Sequence, residues 1–383
     1  MDVFPPGTVI GIIGGGQLGR MFCMAARRMG YRTVVWTGGL EAPAMVVADE
    51  AIDEPFESRE ALAEFVSKVG VATVEFENIP RKTLEAVASE ISLHPSPEAV
   101  AICQNREREK TFLRTNGIPC AAFEVVDSAE ALRRALAEVG TPAVLKTAAF
   151  GYDGKGQRKL EGEEDPEEVW RSFGSDRAVL EAWIPFEREI SVMAARDAKG
   201  RVVTYDPAEN RHRHHILDVS IVPARVPDEV AENARRIATG VAEALDYRGI
   251  MGVEFFQLED GSLLVNEMAP RPHNSGHHTL DACATSQFEQ QVRAVCGLPL
   301  GSTRLLTPVV MLNLLGDMWP GETTPPEWAP LFADRESFLH LYGKRRAIGR
   351  RKMGHANVTG TEVDDCLKRA EVLKDGWLRS GAR

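Results

Sequence analysis

Long apolar runs, paired cysteines and surplus positive charge are all scarce in this chain, and each shortage narrows what it can do. No apolar stretch approaches the ~20 residues that a membrane helix needs. The opening MDVFPPGTVIGII has neither the basic start nor the cleavage site of a signal peptide. The chain is therefore expected in the cytoplasm. Its six cysteines (Cys23, Cys103, Cys120, Cys283, Cys296, Cys366) never form a C-x-x-C, which argues for reduced thiols and against structural zinc. Histidines at 212, 214, 215, 273, 277 and 278 raise zinc again, but their spacing lacks the regularity of a zinc site. A net charge of −11 disfavours non-specific binding to nucleic acid. It leaves room for a small cationic pocket and an anionic substrate.

What is present suits a soluble globular protein of two or three domains: 383 residues, 44% hydrophobic and 26% charged. TVIGIIGGGQLGRMFCMAARRMGYRTVVW reads as strand, glycine turn, amphipathic helix and second strand, a βαβ unit. Further strand-like runs at VATVEF and SLHPS, with the helical ESREALAEFVSKVG before them, extend an open α/β domain over roughly the first hundred residues. NREREKTFLRTN reads as a charged helix, and residues 117–185 as a small α+β module holding the strands PAVLK and VLEAWI. After PFERE come EISVMAARD, RVVTYDP and a hairpin whose turn is LEDGS.

Five motifs carry chemistry. Gly14, Gly16 and Gly19 spell G-x-G-x-x-G between a strand and a helix, but the following strand ends Val35-Trp36-Thr37 without the acid that grips a ribose. That argues against NAD and leaves the helix N-terminus for another anion. FGYDGKGQ, after the apolar strand ending at Lys146, could cradle phosphate with its backbone amides or could simply be a hairpin tip. Glu254 and Glu267 lie on the two strands joined by LEDGS, so pairing brings them together with Asn266 as hard oxygen ligands suited to Mg²⁺. Asn78, in EFENIP, could cap a helix beginning at Pro80 or line a ligand site at the strand's end. GKRRAIGRRKMGH near the C-terminus is either a solvated basic surface or a phosphate clamp.

In order along the chain, GGGQLGRM, EFENIP, GYDGKGQ and NEMAPRPHNSGHHT closely resemble the corresponding stretches of ATP-grasp ligases, and among these the 5-(carboxyamino)imidazole ribonucleotide synthases of purine biosynthesis. The resemblance runs from Gly11 to about Thr359. It implies an α/β ATP-grasp architecture: a Rossmann-like preATP-grasp domain over 1–102, a small α+β lid over 103–185, and a larger α+β domain over 186–383 that carries the metal. It implies that Arg106, Lys146, the loop Tyr152, Asp153, Gly154, Lys155, Gly156 and Gln157, the strand Glu181, Ala182, Trp183 and Ile184, then Glu189, His212, Asn266 and Glu267 bind ATP. The backbone of 181–184 would read adenine, Glu189 would hold the ribose, and Glu254 with Glu267 would hold Mg²⁺. Arg271, His273 and Asn274 become candidates for cradling bicarbonate and carboxyphosphate, and Tyr152 and Asp153 for orienting the acceptor amine or handling its proton. Gln17, Glu75, Asn78, Lys344 and Arg351 become candidates for binding aminoimidazole ribonucleotide. A homodimer with small-molecule substrates is also implied. A formate-using ribonucleotide transformylase would share the ATP site, whereas a regulator without chemistry would have no need of Lys146 and both glutamates.

Overall fold

The structure is a computed structural model that describes residues 3–149 and 156–381. Tyr152, Asp153, Gly154 and Lys155, and with them the expected lid loop, lie outside the described residues. Three sheets organise the rest.

The first is parallel. Val9–Ile13 lies at its centre between Arg32–Trp36 and Val71–Val74, with Glu50–Ile52 and Ser92–Leu93 outermost. Its central strands are almost wholly buried, as a parallel sheet with helices on both faces requires. Gln17–Arg28, Arg59–Lys68 and Arg81–Glu90 supply those helices. The chain reverses its winding between Val9–Ile13 and Val71–Val74, and the loops leaving their carboxyl ends carry Gly14–Gly16 and Glu75–Asn78. In open α/β sheets that switch point is where ligands bind. Asn78 does not cap the next helix: Pro80 occupies the N-cap, with no side-chain cap bond.

The second sheet is antiparallel, in the order Phe123–Val126, Ala178–Ala182, Ala143–Thr147, Gln157–Leu160. Helices Ala129–Val139 and Pro166–Phe173 close a small core on it. Lys146 pairs with Gln157, so Ala143–Thr147 and Gln157–Leu160 run antiparallel beside each other. The strand expected over VLEAWI stops at Ala182. Trp183 instead donates its N–H to Pro142, as the chain turns out of the sheet.

The third sheet is the largest. Arg188–Arg196 and Gly249–Gln257 lie beside each other, Leu263–Ala269 forms one edge, and Ala208–Arg213, Ile216–Val222, Val309–Leu315, Lys352–Thr359 and Ser337–Leu341 extend the other way. Val202–Thr204 pairs with Arg188–Arg196. Alternation divides its faces. Ile190, Val192, Val253 and Phe255 pack on the helix Asp228–Ala244, whereas Glu189, Ser191, Glu254 and Phe256 stand opposite one another on the other face. Ala99 and Leu113, from the helices Pro97–Cys103 and Arg106–Thr115, join the same core. Burial of a residue such as Leu113 contributes about 1.5–3 kcal/mol, so Arg106–Thr115 is anchored to the large sheet and its polar side is aimed at the space between sheets.

Candidate active site

A cleft of about 1640 Å³ opens where the three sheets meet, lined among others by Asn78, Arg106, Lys146, Glu181, Glu189, His212, Glu254, Asn266, Glu267, Arg271, His273 and Asn274. Residues far apart in the sequence are therefore brought to one space.

Strict alternation would send Asn266 and Glu267 to opposite faces. Both line the cleft because the hairpin is irregular there. Glu254 pairs with Glu267 and Phe255 with Val265, so Asn266 is the extra residue of a β-bulge. Bulges re-aim side chains in this way beside active sites. Glu267 is left open to the cleft, while Glu254 is half-buried against His273, whose Nε2 lies 3.3 Å away. Burial and then the neighbouring negative charge of Glu267 push the Glu254 carboxyl up to about 7. Two carboxylates facing each other across paired strands, one of them buried and held up by its neighbour's charge, are short of a cation, so the pair fits a divalent metal. Among the described residues no cluster of three or more His, Cys, Asp or Glu forms a metal cage. A hard ion here would need oxygens from elsewhere, as Mg²⁺ takes them from phosphates.

Across the cleft lies a buried ion network that sequence reading found only in part. Arg106 grips Glu181 through Nε (2.6 Å) and Nη2 (2.9 Å), and also donates to Glu109 (2.9 Å) and Asn266 Oδ1 (3.1 Å). Lys110, fully buried, donates to the carbonyls of Val265 (3.1 Å) and Asn266 (3.0 Å) and sits 3.6 Å from Glu181. Lys146 is 3.3 Å from the same carboxylate. Burial, and then the charge of Arg106, pull the Lys146 ammonium down to about 8. Burial raises the Glu181 carboxyl, but its three cations outweigh that and hold it well below its usual range. Glu109 and Lys110 were not singled out from the sequence. Their signal was the spacing Arg106, Glu109, Lys110, Leu113, one helix face that is charged yet next to a core leucine.

Glu189 and His212 meet at 2.6 Å, and that contact raises the imidazole against the opposing effect of burial. His214 and His215 form the tip of the adjoining hairpin, both with left-handed φ (54° and 64°). Trp183 is 43% exposed beside the cleft with Lys159 Nζ 4.3 Å over its ring, and Phe186 stacks on Phe256 at 4.7 Å. Ala182 donates its N–H to Ala122, so in this structure that amide, like Trp183's, is already committed. Gly156 has left-handed φ (72°), a Cβ there would lie 2.6 Å from Thr147 Oγ1, and Gln157 opens its strand.

The glycine turn holds an anion of its own. Glu75 accepts from the amides of Gly16 (2.8 Å) and Gly19 (3.1 Å). A Cβ on Gly14 would lie 2.4 Å from Glu75 Cγ, and one on Gly16 2.6 Å from its Oε1. These glycines make room for a buried glutamate, so the expected slot for an external anion is filled by the chain itself. Burial raises the Glu75 carboxyl, with Arg271 and Lys344 pulling the other way. Arg271 is held by Glu77 through Nε and Nη2, the latter at 3.0 Å, which ties the third sheet's loop to the first sheet's switch point. Asn274 is only 8% exposed, and among the described residues neither side-chain atom has a hydrogen-bond partner.

The C-terminal basic run docks against this same corner. Arg351 donates to Glu41 (2.6 Å), Arg345 N–H reaches Glu41 (3.1 Å), and Lys344 Nζ donates to the Lys352 carbonyl (2.7 Å). Burial and then the charges of Arg351 and Lys352 pull Lys344 down to about 8. Lys352, not singled out beforehand, lines the main cleft, whereas Lys344, Arg351, Gln17 and Glu75 stand behind its lining.

Residues 8–104 match the ribonucleotide synthetase preATP-grasp domain, 111–288 the ATP-grasp domain, and 309–369 the phosphoribosylaminoimidazole carboxylase C-terminal domain. The N5-carboxyaminoimidazole ribonucleotide synthase of Bacillus subtilis is 44% identical, covering 100% of this chain and 99% of the relative. A crystal structure of the ADP complex of an N5-carboxyaminoimidazole ribonucleotide synthetase superposes with TM-score 0.91 at 40% identity, over 99% of both chains. The enzyme from Aspergillus clavatus, in complex with ADP and 5-aminoimidazole ribonucleotide, superposes with TM-score 0.85 at 29% identity over 98% of this chain and 99% of that one. With likeness of this degree along its whole length, the chain belongs to the N5-carboxyaminoimidazole ribonucleotide synthase family of ATP-grasp ligases.

Proposed function

We propose that this enzyme couples ATP to the carboxylation of 5-aminoimidazole ribonucleotide, giving 5-(carboxyamino)imidazole ribonucleotide, ADP and phosphate. A single observation carries this: the carboxylate pair Glu254 and Glu267 and the cations Arg271 and Lys352 line one cleft, with Lys344 and Arg351 behind that lining. A metal nucleotide satisfies the first, and a phosphorylated acceptor the second. Lys146, Glu189 and His212 bind the nucleotide, with the turn after Ala182 and the 152–157 loop against its base and phosphates. Arg106 belongs to the same nucleotide site. Glu254 and Glu267 hold Mg²⁺, which when bound offsets charge between the phosphates. The division at 102 and 185 into three domains follows the three sheets.

In the reaction a bicarbonate oxygen attacks the γ-phosphorus and ADP leaves; the acceptor amine then attacks the carboxyl carbon, and phosphate leaves. Asn274 offers an uncommitted amide for bicarbonate, with Arg271 and His273 close before it in the chain. Water must be kept from the mixed anhydride meanwhile, the task assigned to the loop bearing Tyr152 and Asp153. Lys344 and Arg351 receive the acceptor's phosphate, near Gln17, Glu75 and Asn78. Among the described residues no helix is long and apolar enough to cross a membrane. A cytoplasmic homodimer acting on small molecules completes the reading.

Release of ADP should require bicarbonate together with aminoimidazole ribonucleotide, and should not appear with formate and glycinamide ribonucleotide. The second pair supporting turnover would identify a transformylase instead. The two phosphate sites separate by mutation. A charge-assisted contact is worth about 1.5–3 kcal/mol, or roughly ten- to more than a hundredfold in affinity. Arg351→Ala is expected to raise KM for aminoimidazole ribonucleotide by that factor with KM for ATP nearly unchanged, and Lys146→Ala to do the reverse. An ATP effect from Arg351→Ala would displace the acceptor site.

Lys146 also sets a pH limb. With its ammonium at about 8 in the free enzyme, kcat/KM for ATP should fall as pH rises through 8. Bound phosphates favour the charged form, so the corresponding limb in kcat should lie at higher pH. Coincident limbs, or none lost in Lys146→Arg, would remove Lys146 from nucleotide binding.

A further inference from the structure

Behind the carboxylate pair runs a buried chain of hydroxyl and amide groups that the reaction itself does not use. Ser220 Oγ donates to Asn210 Oδ1 (2.8 Å), Asn210 Nδ2 to Ser191 Oγ (2.9 Å), and Ser191 Oγ to Ser275 Oγ (2.7 Å). Ser275 Oγ lies 2.9 Å from His273 Nδ1, and the opposite ring nitrogen faces Glu254. All four members are at most 5% exposed: Ser220 0%, Asn210 5%, Ser191 2%, Ser275 1%. They come from three neighbouring strands and the short turn Asn274–Gly276, so no local contact explains the alignment.

Such a chain can run in either direction, because each hydroxyl can donate or accept. Two groups that cannot reverse decide it. The backbone N–H of Ser275 only donates, and it points at His273 Nδ1 (3.4 Å). His273 Nδ1 is therefore the acceptor and takes the Ser275 hydroxyl proton in a hydrogen bond. The Asn210 amide nitrogen likewise only donates, and it points at Ser191. Ser275 thus accepts from Ser191, Ser191 from the Asn210 amide, and Asn210 accepts from Ser220. The ring proton is left on Nε2, the nitrogen that lies 3.3 Å from Glu254 Oε1.

We infer that Ser220, Asn210, Ser191 and Ser275 are a positioning relay that holds His273 as its Nε2–H tautomer and uses that N–H to orient Glu254 toward its cation. The inference rests on the reading of Glu254 as a metal ligand. Histidine tautomers are set by what the other ring nitrogen meets, and groups that orient metal ligands typically change metal affinity 10–100-fold when removed.

Asn210→Asp keeps the shape and removes the donor. Ser191 must then donate to the carboxylate introduced at position 210 and Ser275 is drawn to donate to Ser191, so His273 Nδ1 loses the hydroxyl proton and keeps only the Ser275 backbone N–H. Long-range ¹H–¹⁵N correlations of histidine-labelled, metal-free protein read the result directly. Wild type and Ser220→Ala, whose Asn210 still donates to Ser191, should show the Nε2–H form. Asn210→Asp and Ser275→Ala should each show a mixture with Nδ1–H newly populated, with melting curves confirming that each variant is folded. The Mg²⁺ concentration for half-maximal ADP release should rise about 10–100-fold in Asn210→Asp and Ser275→Ala and stay near wild type in Ser220→Ala. An Nδ1–H ring in wild type, or Nε2–H retained in both Asn210→Asp and Ser275→Ala, overturns the relay and leaves the proposed reaction standing. A shifted tautomer with an unchanged Mg²⁺ requirement overturns the role of Glu254, and with it the relay's purpose.

Discussion

Glu267→Gln is expected to lower kcat about 10²–10³-fold while leaving the melting temperature at or above that of wild type. The size follows from losing one preorganised charge at the point where charge develops during phosphoryl transfer. The stability half is the more diagnostic. Without metal, Glu254 is held up at about 7 by burial and by the negative charge opposite. Removing the charge on Glu267 relieves that repulsion and leaves the backbone pairing Glu254↔Glu267 in place. The variant should therefore gain stability as metal-free protein and lose the stabilisation that Mg²⁺ with a nucleotide analogue gives wild type. Thermal melts with and without Mg²⁺ and the analogue, beside an ADP assay at saturating Mg²⁺, measure both. Near-normal ADP production, or equal ligand stabilisation in the two proteins, would sink the assignment of the metal to this pair.

The carboxylate pair was legible because a two-strand hairpin with LEDGS as its turn fixes which residues face each other. Periodicity does the rest for a strand: once Glu254 is placed, Glu189 and Ser191 on the next strand follow only after the pairing is known. The bulge at Asn266 was not legible, since nothing in VNEMA distinguishes it from regular alternation. The glycine turn shows the opposite limit. Its G-x-G-x-x-G was read as space for an external anion, and the residue that fills it, Glu75, is 56 positions from Gly19. Glycine spacing reports that something comes close; it does not report what. Lys352 was missed for a related reason. A run of cations has no inward and outward side until the strand Lys352–Thr359 is placed, and Lys352 is the residue at which that strand begins.

Arg106→Leu is expected to be the most destabilising single change in the cleft, and its cost should grow with pH. Arg106 satisfies both oxygens of Glu181 and one of Glu109. Glu181 would keep Lys110 at 3.6 Å and Lys146 at 3.3 Å. Glu109 would keep Lys110 nearby and the Met268 amide at 2.6 Å, but burial already holds its carboxyl up at about 7 with Arg106 present. Breaking a buried pair from one side costs about 3–5 kcal/mol, because the remaining charge is left in a poorly solvating site. Part of that cost is avoided if Glu109 takes a proton. Its folded pKa, already above the ordinary 4.5, would rise further. From about 4.5 up to that value the folded state binds more protons than the unfolded state, so stability falls as pH rises. Urea midpoints of the variant should thus lie closer to wild type at pH 6 than at pH 8. Adding Glu109→Gln removes the carboxyl that needs the proton, and the double variant should recover stability at pH 8 and lose most of the extra pH dependence. Arg106→Lys should not rescue either, since an ammonium cannot span Glu181 and Glu109 together as the guanidinium fork does. A pH-independent loss in Arg106→Leu, or no recovery in the double variant, would mean that Glu109 is ionised regardless of Arg106 and that the network is held by Lys110 instead.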